Sequence, residues 1–189
     1  MAGSLFNTGP HPIGLALGFL DFSDETKVAF SKLDLALTSG DAEDCVKVIL
    51  TAPGKPVVDV EINSNDAFSD GYTLKIMGTK GTFACTGSDY KMKYIVDGEN
   101  IERKPEYYFI KNDEDLPAYC SEELKTHEEN GKFNGTAFDV GTKSLYESLY
   151  KTITENAELA VPTEVSAKVV NVIERIHAEN PLPMKFKGE

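Results

Sequence analysis

The chain has 189 residues, 41% hydrophobic and 26% charged, the composition of one globular domain with a sizeable core. Its formal net charge of −12 excludes the clustered lysine and arginine that nucleic acid or an anionic membrane surface demands, so neither is expected as a partner. Cys45, Cys85 and Cys120 are too few and too scattered for a disulfide framework and lack metal-ligand spacing, so no metal is expected. With apolar runs far shorter than a membrane span, they read as reduced, mostly buried thiols of a cytoplasmic protein.

The first segment with chemical character is Asn7-Thr8-Gly9-Pro10-His11-Pro12-Ile13. Pro12 suits the first position of a helix, where a missing N–H costs nothing, and the apolar run beyond it predicts a short helix to Phe22. His11 then caps that helix, beside its unpaired N–H groups and the positive end of its dipole, where an uncharged, proton-accepting imidazole is favoured. Gly9 permits a tight turn between His11 and Asn7. A fixed histidine among polar neighbours at a helix mouth is a proton-transfer candidate, and the same position equally suits a plain surface cap.

Residues 23–26 read as a turn. Period-two alternation follows at residues 33–37, 46–48, 58–63, 72–76 and 90–94, the mark of strands with one apolar and one polar face. Between them lie Pro53-Gly54-Lys55-Pro56, Ser69-Asp70-Gly71, Gly78-Thr79-Lys80-Gly81 and Asp97-Gly98-Glu99-Asn100, all hairpin turns. Connections this short demand antiparallel neighbours, so one large, mostly antiparallel sheet is expected. The period then changes. Residues 117–130 read as a helix stopped by Gly131. Leu145, Leu149, Ile153 and Ala157 form a helical core stripe, and Val165, Val169, Val172, Ile173 and Ile176 a second, with Thr163 as N-cap and Asn180-Pro181 as stop. Strands first and helices later make an α+β fold, its helices packed on one face of the sheet. No repeat or linker divides the sequence, so residues 1–189 are expected to form one domain.

No strand–GxGxxG–helix unit and no P-loop occurs, and the glycines of Gly78-Thr79-Lys80-Gly81 have hairpin spacing instead. His127 reads as a solvated helix residue, and His177 as a residue near a helix C-terminus, where a cation is favoured. Tyr107, Tyr108 and Phe109, like Tyr146 and Tyr150, offer aromatic faces that suit a sugar ring or, equally, a core or interface.

Residues 7–14 resemble the second signature of the Gfo/Idh/MocA oxidoreductases, D-x-G-x-H-x-I-D, with Asn7 at its first Asp position and Gly14 at its last. The stretch from Tyr72 to Phe83 is similar to that family's paired strands around a G-T-K-G turn. Phe138 to Ala157, followed by Glu164 to Pro181, is similar to its closing helices, so the resemblance runs along nearly the whole chain. It implies the C-terminal substrate-binding and oligomerisation domain of a longer NAD(P)-dependent oxidoreductase acting on a sugar, polyol or related hydroxy compound. It implies His11 as catalytic acid/base, Asn7 and Thr8 as substrate-binding or His11-orienting residues, and NAD or NADP bound by an N-terminal Rossmann half absent from this sequence. Glu102-Arg103-Lys104-Pro105 mimics the E-K-P signature of that half but follows His11 and reads as a polar connection. The resemblance further implies a homodimer or homotetramer through the open sheet face, where Asp59, Glu61, Lys91 and Lys93 would lie. The fragment alone is expected to bind no cofactor and to be inactive. Two alternatives stand beside this reading: a non-catalytic, cofactor-sensing regulator of the same family, favoured by Asn7, and a domain for oligomerisation only.

Overall fold

The computed structural model describes residues 3–38, 40–68, 71, 73–100 and 124–182. The chain divides into two compact units, residues 1–67 with 143–189, and residues 68–142.

In the first unit a single turn of helix, α1 (Ser4–Asn7), runs almost directly into α2 (Pro10–Phe19). Three antiparallel strands follow, β1 (Lys27–Asp34), β2 (Cys45–Thr51) and β3 (Val58–Asn63), in the order β1-β2-β3. Alternation fixes their faces. Val46, Val48 and Leu50 of β2 are buried and the residues between them half-buried. Leu33 and Ile62 flank Val46, and Val28 and Val58 flank Leu50, on the same face. On the opposite face Lys47 reaches Asp59 at 2.9 Å and Glu61 at 3.1 Å, and these two carboxylates hold its ammonium above the usual lysine range. A bulge between Val28 and Phe30 re-phases β1. Phe30 is therefore 49% exposed, whereas Leu33 is buried.

Two helices close the chain, α3 (Ala137–Glu155) and α4 (Thr163–Glu179). Val169, Val172, Ile173 and Ile176 of α4 join Leu5, Ile13, Leu17 and Leu20 and the apolar face of β1–β3 in one core. Full burial of each such side chain is worth about 1.5–3 kcal/mol. The expected α+β class, with antiparallel strands and helices covering a sheet face, is thus what forms. Details of the two closing helices differ from the sequence reading. Pro162, not Thr163, occupies the N-cap of α4. The α3 stripe is not core among the described residues, with Leu145, Leu149 and Ile153 being 46%, 41% and 75% exposed.

The second unit holds β4 (Leu74–Gly78), β5 (Gly81–Thr86), β6 (Asp89–Tyr94) and β7 (His127–Lys132), antiparallel in the order β4-β5-β6-β7. Gly78 pairs with Gly81 across the two-residue Thr79-Lys80 turn, as the hairpin reading expects. The described strands therefore form two sheets, of three and four strands, rather than one. Residues 127–130 are strand, not helix. The polar run His127-Glu128-Glu129-Asn130 has no apolar alternation of its own, and pairing with β6 makes the strand: Lys93 meets Glu128 at 2.6 Å, and the Tyr94 hydroxyl donates to Glu129. His127 stacks on Tyr94 at 5.6 Å and sits 2.5 Å from Glu99 through Nε2. That imidazole and the nearby Lys125 hold the Glu99 carboxyl below the usual range. The Tyr90 ring packs against Phe133 at 4.9 Å, tilted by 34°, and lies over Gly131, where a Cβ would come within 2.7 Å of the Tyr90 hydroxyl oxygen. Cys85 is buried and Cys45 half-buried; Cys120 lies outside the described residues. Among the described residues no helix is long and apolar enough to cross a membrane.

Candidate functional site

The turn between α1 and α2 carries the residues singled out in the sequence. Thr8 C-caps α1, its N–H and hydroxyl both donating to the Ser4 carbonyl at 2.9 and 3.0 Å. Gly9 N-caps α2, and a Cβ there would lie 2.1 Å from the Leu5 carbonyl oxygen, so the reversal needs glycine. The helix begins at Pro10 rather than Pro12, with Gly9 rather than His11 as its cap. Both prolines fit because the first turn of a helix has no intrahelical use for its N–H groups. His11 is therefore the second helical residue, its N–H donating to the Thr8 carbonyl at 3.3 Å.

The side chains of Asn7, Thr8 and His11 are all exposed. Among the described residues neither the His11 ring nor the Asn7 amide has a hydrogen-bond partner, while the Thr8 hydroxyl is engaged by its own helix. The structure thus brings the three onto one solvent-facing turn. An imidazole and a carboxamide left open there can bind a hydroxyl compound and exchange a proton with it.

Two consecutive acids anchor the surroundings of this turn. Asp44 accepts from the N–H groups of Ala36 and Leu37 at 2.7 Å and of Thr38 at 3.1 Å, which holds its carboxyl below the usual range. Glu43 serves α1 instead. Its carbonyl accepts the Ser4 N–H at 2.7 Å, and its Oε1 accepts the Leu5 N–H at 2.8 Å. The Glu43 side chain is wholly buried, and His177 of α4 approaches it, Nε2 lying 3.5 Å from Oε1. Phe6 of α1 stacks on the His177 ring at 4.7 Å, 16° from parallel. A cleft of about 280 Å³ beside the stack is lined by Gly3, Phe6, Asp41, His177, Asn180 and Leu182. Sequence reasoning missed this cluster. Residues 41–44 carry no motif that singles them out, and His177 reads only as a residue near a helix C-terminus.

The aromatic pocket candidates do not converge here. Tyr146 and Tyr150 are 66% and 65% exposed, and a cleft of about 250 Å³ beside α3 is lined by Ser144, Glu147, Ser148 and Lys151 without either tyrosine. Tyr107, Tyr108, Phe109 and Glu102-Arg103-Lys104-Pro105 lie outside the described residues. Among the described residues no three His, Cys, Asp or Glu side chains are placed to hold a metal. Every described strand pair is antiparallel, so these residues build no strand–glycine turn–helix cradle for a dinucleotide.

No protein-family model matches the chain, and no curated protein does. Among solved structures it is similar to a probable oxidoreductase, yhhX, with a TM-score of 0.66 and 16% identity, over 96% of this chain and 49% of that one. It is similar to an oxidoreductase from Bacillus cereus, with a TM-score of 0.65 and 16% identity, over 93% of this chain and 48% of that one. The likeness is one of fold, and the chain spans about half the length of each of these oxidoreductases.

Proposed function

We propose that this chain is the substrate-binding and oligomerisation half of an NAD(P)-dependent oxidoreductase of the Gfo/Idh/MocA type, acting in the cytoplasm on a sugar, polyol or related hydroxy compound. The observation that carries the proposal is the fold likeness, which takes in nearly all of this chain and half of proteins named as oxidoreductases. The exposed, unpartnered His11 ring on the α1–α2 turn supports it. His11 is the acid/base that takes the substrate hydroxyl proton in oxidation and returns it in reduction. Asn7 binds a neighbouring substrate hydroxyl; Thr8, its own hydroxyl already engaged, shapes the turn.

In this reading the NAD(P) cofactor, and the hydride chemistry it supplies, belong to the other half of the longer protein. This chain's contribution is to hold the hydroxyl and move its proton. The test is His11→Asn in the full-length protein. Turnover is expected to fall by about 10²–10⁴ with cofactor affinity unchanged. Equal turnover would leave His11 a helix residue and remove the mechanistic assignment.

A second reading, a cofactor-sensing regulator without turnover, is favoured by one observation, Asn7 at the position where the resembling family has Asp. A full-length protein that binds NAD(P) yet turns over no sugar or polyol would establish it. In either reading the chain assembles as a homodimer or homotetramer through a polar sheet face; Asp59 and Glu61 belong to the β1–β3 sheet and Lys91 and Lys93 to the β4–β7 sheet, rather than to one face as the sequence reading expects. Light scattering of this chain at high concentration should give a multiple of 20.7 kDa, and a strictly monomeric mass would end that proposal.

A further inference from the structure

We infer that Glu43 and His177 are positioning residues for the His11 turn: His177 holds Glu43, Glu43 holds α1, and α1 sets where Asn7 and His11 stand. This rests on the proposed role of His11 and deepens it. The chain of contacts begins with a helix that cannot hold itself. α1 is four residues long, far below the length at which a helix is stable alone. Its N-cap is Gly3, which has no side chain to satisfy the first N–H groups. Glu43 does that work from 38 residues away in sequence, through its carbonyl to Ser4 and its carboxylate to Leu5. The fit leaves no slack, because a Cβ on Gly3 would stand 2.0 Å from Glu43 Oε2. Only Thr8 and Gly9 then separate α1 from α2, so any tilt of α1 moves Asn7 directly and His11 through the turn.

His177 supplies the other half of the clamp. The Glu43 carboxylate is buried, and its Oε2 has no hydrogen-bond partner among the described residues; nor has His177 Nε2. An unpaired buried carboxylate oxygen is costly, and such a group in a stable fold calls for a reason. The imidazole is the donor at hand. Its Nε2 is 3.5 Å from Oε1, about half an ångström outside a normal hydrogen bond, and the ring is fixed against Phe6. Among the described residues no lysine or arginine lines the adjoining cleft, and the Asp44 carboxylate is committed to residues 36–38. The arrangement therefore meets α1 from two sides: Glu43 binds its backbone, and His177 stacks on its Phe6 ring with Nε2 3.5 Å from Glu43 Oε1.

The chain's three histidines, His11, His127 and His177, make the inference readable by NMR of this chain without any turnover assay. Glu43→Ala should shift the His11 imidazole and the Asn7 side-chain amide signals. It should also speed amide exchange at Leu5 by about tenfold or more, leaving His127 in place. Glu43→Gln keeps an acceptor for the Leu5 N–H and should restore most of the wild-type positions. His177→Phe keeps the stack on Phe6 but not Nε2 and should move the same signals less, non-additively with Glu43→Gln. Val172→Ala, a core change in α4, is the control for lost stability and should not move them. In the full-length enzyme Glu43→Ala should lower kcat by about 10- to 100-fold with the KM for cofactor unchanged.

If Glu43→Ala fails to fold, His177→Phe carries the same readout. Asn7 and His11 signals that stay in place in both Glu43→Ala and His177→Phe, or that move as far in Val172→Ala, would overturn the inference. Failure of the oxidoreductase reading looks different: His11→Asn would then leave turnover untouched while Glu43→Ala still displaced the Asn7 and His11 signals.

Discussion

The two sheets of this chain hold together by different means. In β1–β3 one face is closed by α1, α2 and α4, and Val46, Val48, Leu50 and Val60 lie buried in a core shared with Ile173 and Ile176. In β4–β7 only Ala84 and Cys85 are buried among the described residues. Its strands are tied by what crosses between neighbours: the Tyr90–Phe133 ring contact, the Lys93–Glu128 pair and the Tyr94–Glu129 hydrogen bond. Apolar burial is worth kilocalories per side chain, whereas an individual cross-strand pair is worth tenths to one. A sheet with a helical lid can therefore carry a precisely built turn on its edge. A sheet held by pairs keeps its strand register by chemistry displayed on its surface.

The comparison is broken most directly by matched truncations. Ile173→Ala, at a side chain 1% exposed, should cost about 2–5 kcal/mol, read from urea or thermal unfolding. Ile76→Ala, at a side chain 38% exposed in β4, should cost less than about 1 kcal/mol. Equal losses would dissolve the distinction. Next comes Gly131→Ala. The new methyl would meet the Tyr90 ring and hydroxyl at 2.7–3.0 Å, so the ring must move from Phe133 and give up an aromatic contact worth about 1 kcal/mol. A variant as stable as wild type, with unchanged aromatic shifts, would mean that this contact contributes nothing to the sheet.

The gentlest probe is pH, and it addresses the first unit. The folded Asp44 carboxyl lies below its ordinary value because the N–H groups of Ala36 and Leu37 bind its charged form. Its contribution is thus fully present above the ordinary carboxylate range and is lost as pH falls from that range through the lowered folded value. The difference in unfolding midpoint between wild type and Asp44→Asn should shrink over that window. A difference independent of pH would assign the effect to packing instead.

How much of this was legible in the sequence differs from element to element, for physical reasons. Val58-Asp59-Val60-Glu61-Ile62-Asn63 alternates without interruption, and β3 has those same bounds. Gly78-Thr79-Lys80-Gly81 marks its hairpin because a two-residue turn demands such residues. The α4 stripe was readable because its period and its burial agree. The α3 stripe has the same period without the burial, since periodicity reports amphipathicity and not what covers it. β7 was misread as helix because its sequence carries no preference that β6 does not impose. His11 and Asn7 could be placed together from their spacing, whereas Thr8 entered through the resemblance of residues 7–14 to a family signature. Glu43 could not, because its burial is decided by residues 3–6, and no local pattern records a contact that distant.

The bulge in β1 bears on how this strand can change length. Ala29 is the residue that β2 leaves without a partner, since Val28 faces Leu50 and Phe30 faces Ile49. Losing Ala29 would join the two halves of the strand in one regular ladder, with Val28 and Leu33 still turned inward and Phe30 still outward. Losing Ser31 or Lys32 would also close the bulge, but it would bring Phe30 opposite Val48 and turn that ring inward. Ala29 is therefore the residue whose loss leaves Val28, Phe30 and Leu33 all on their present faces.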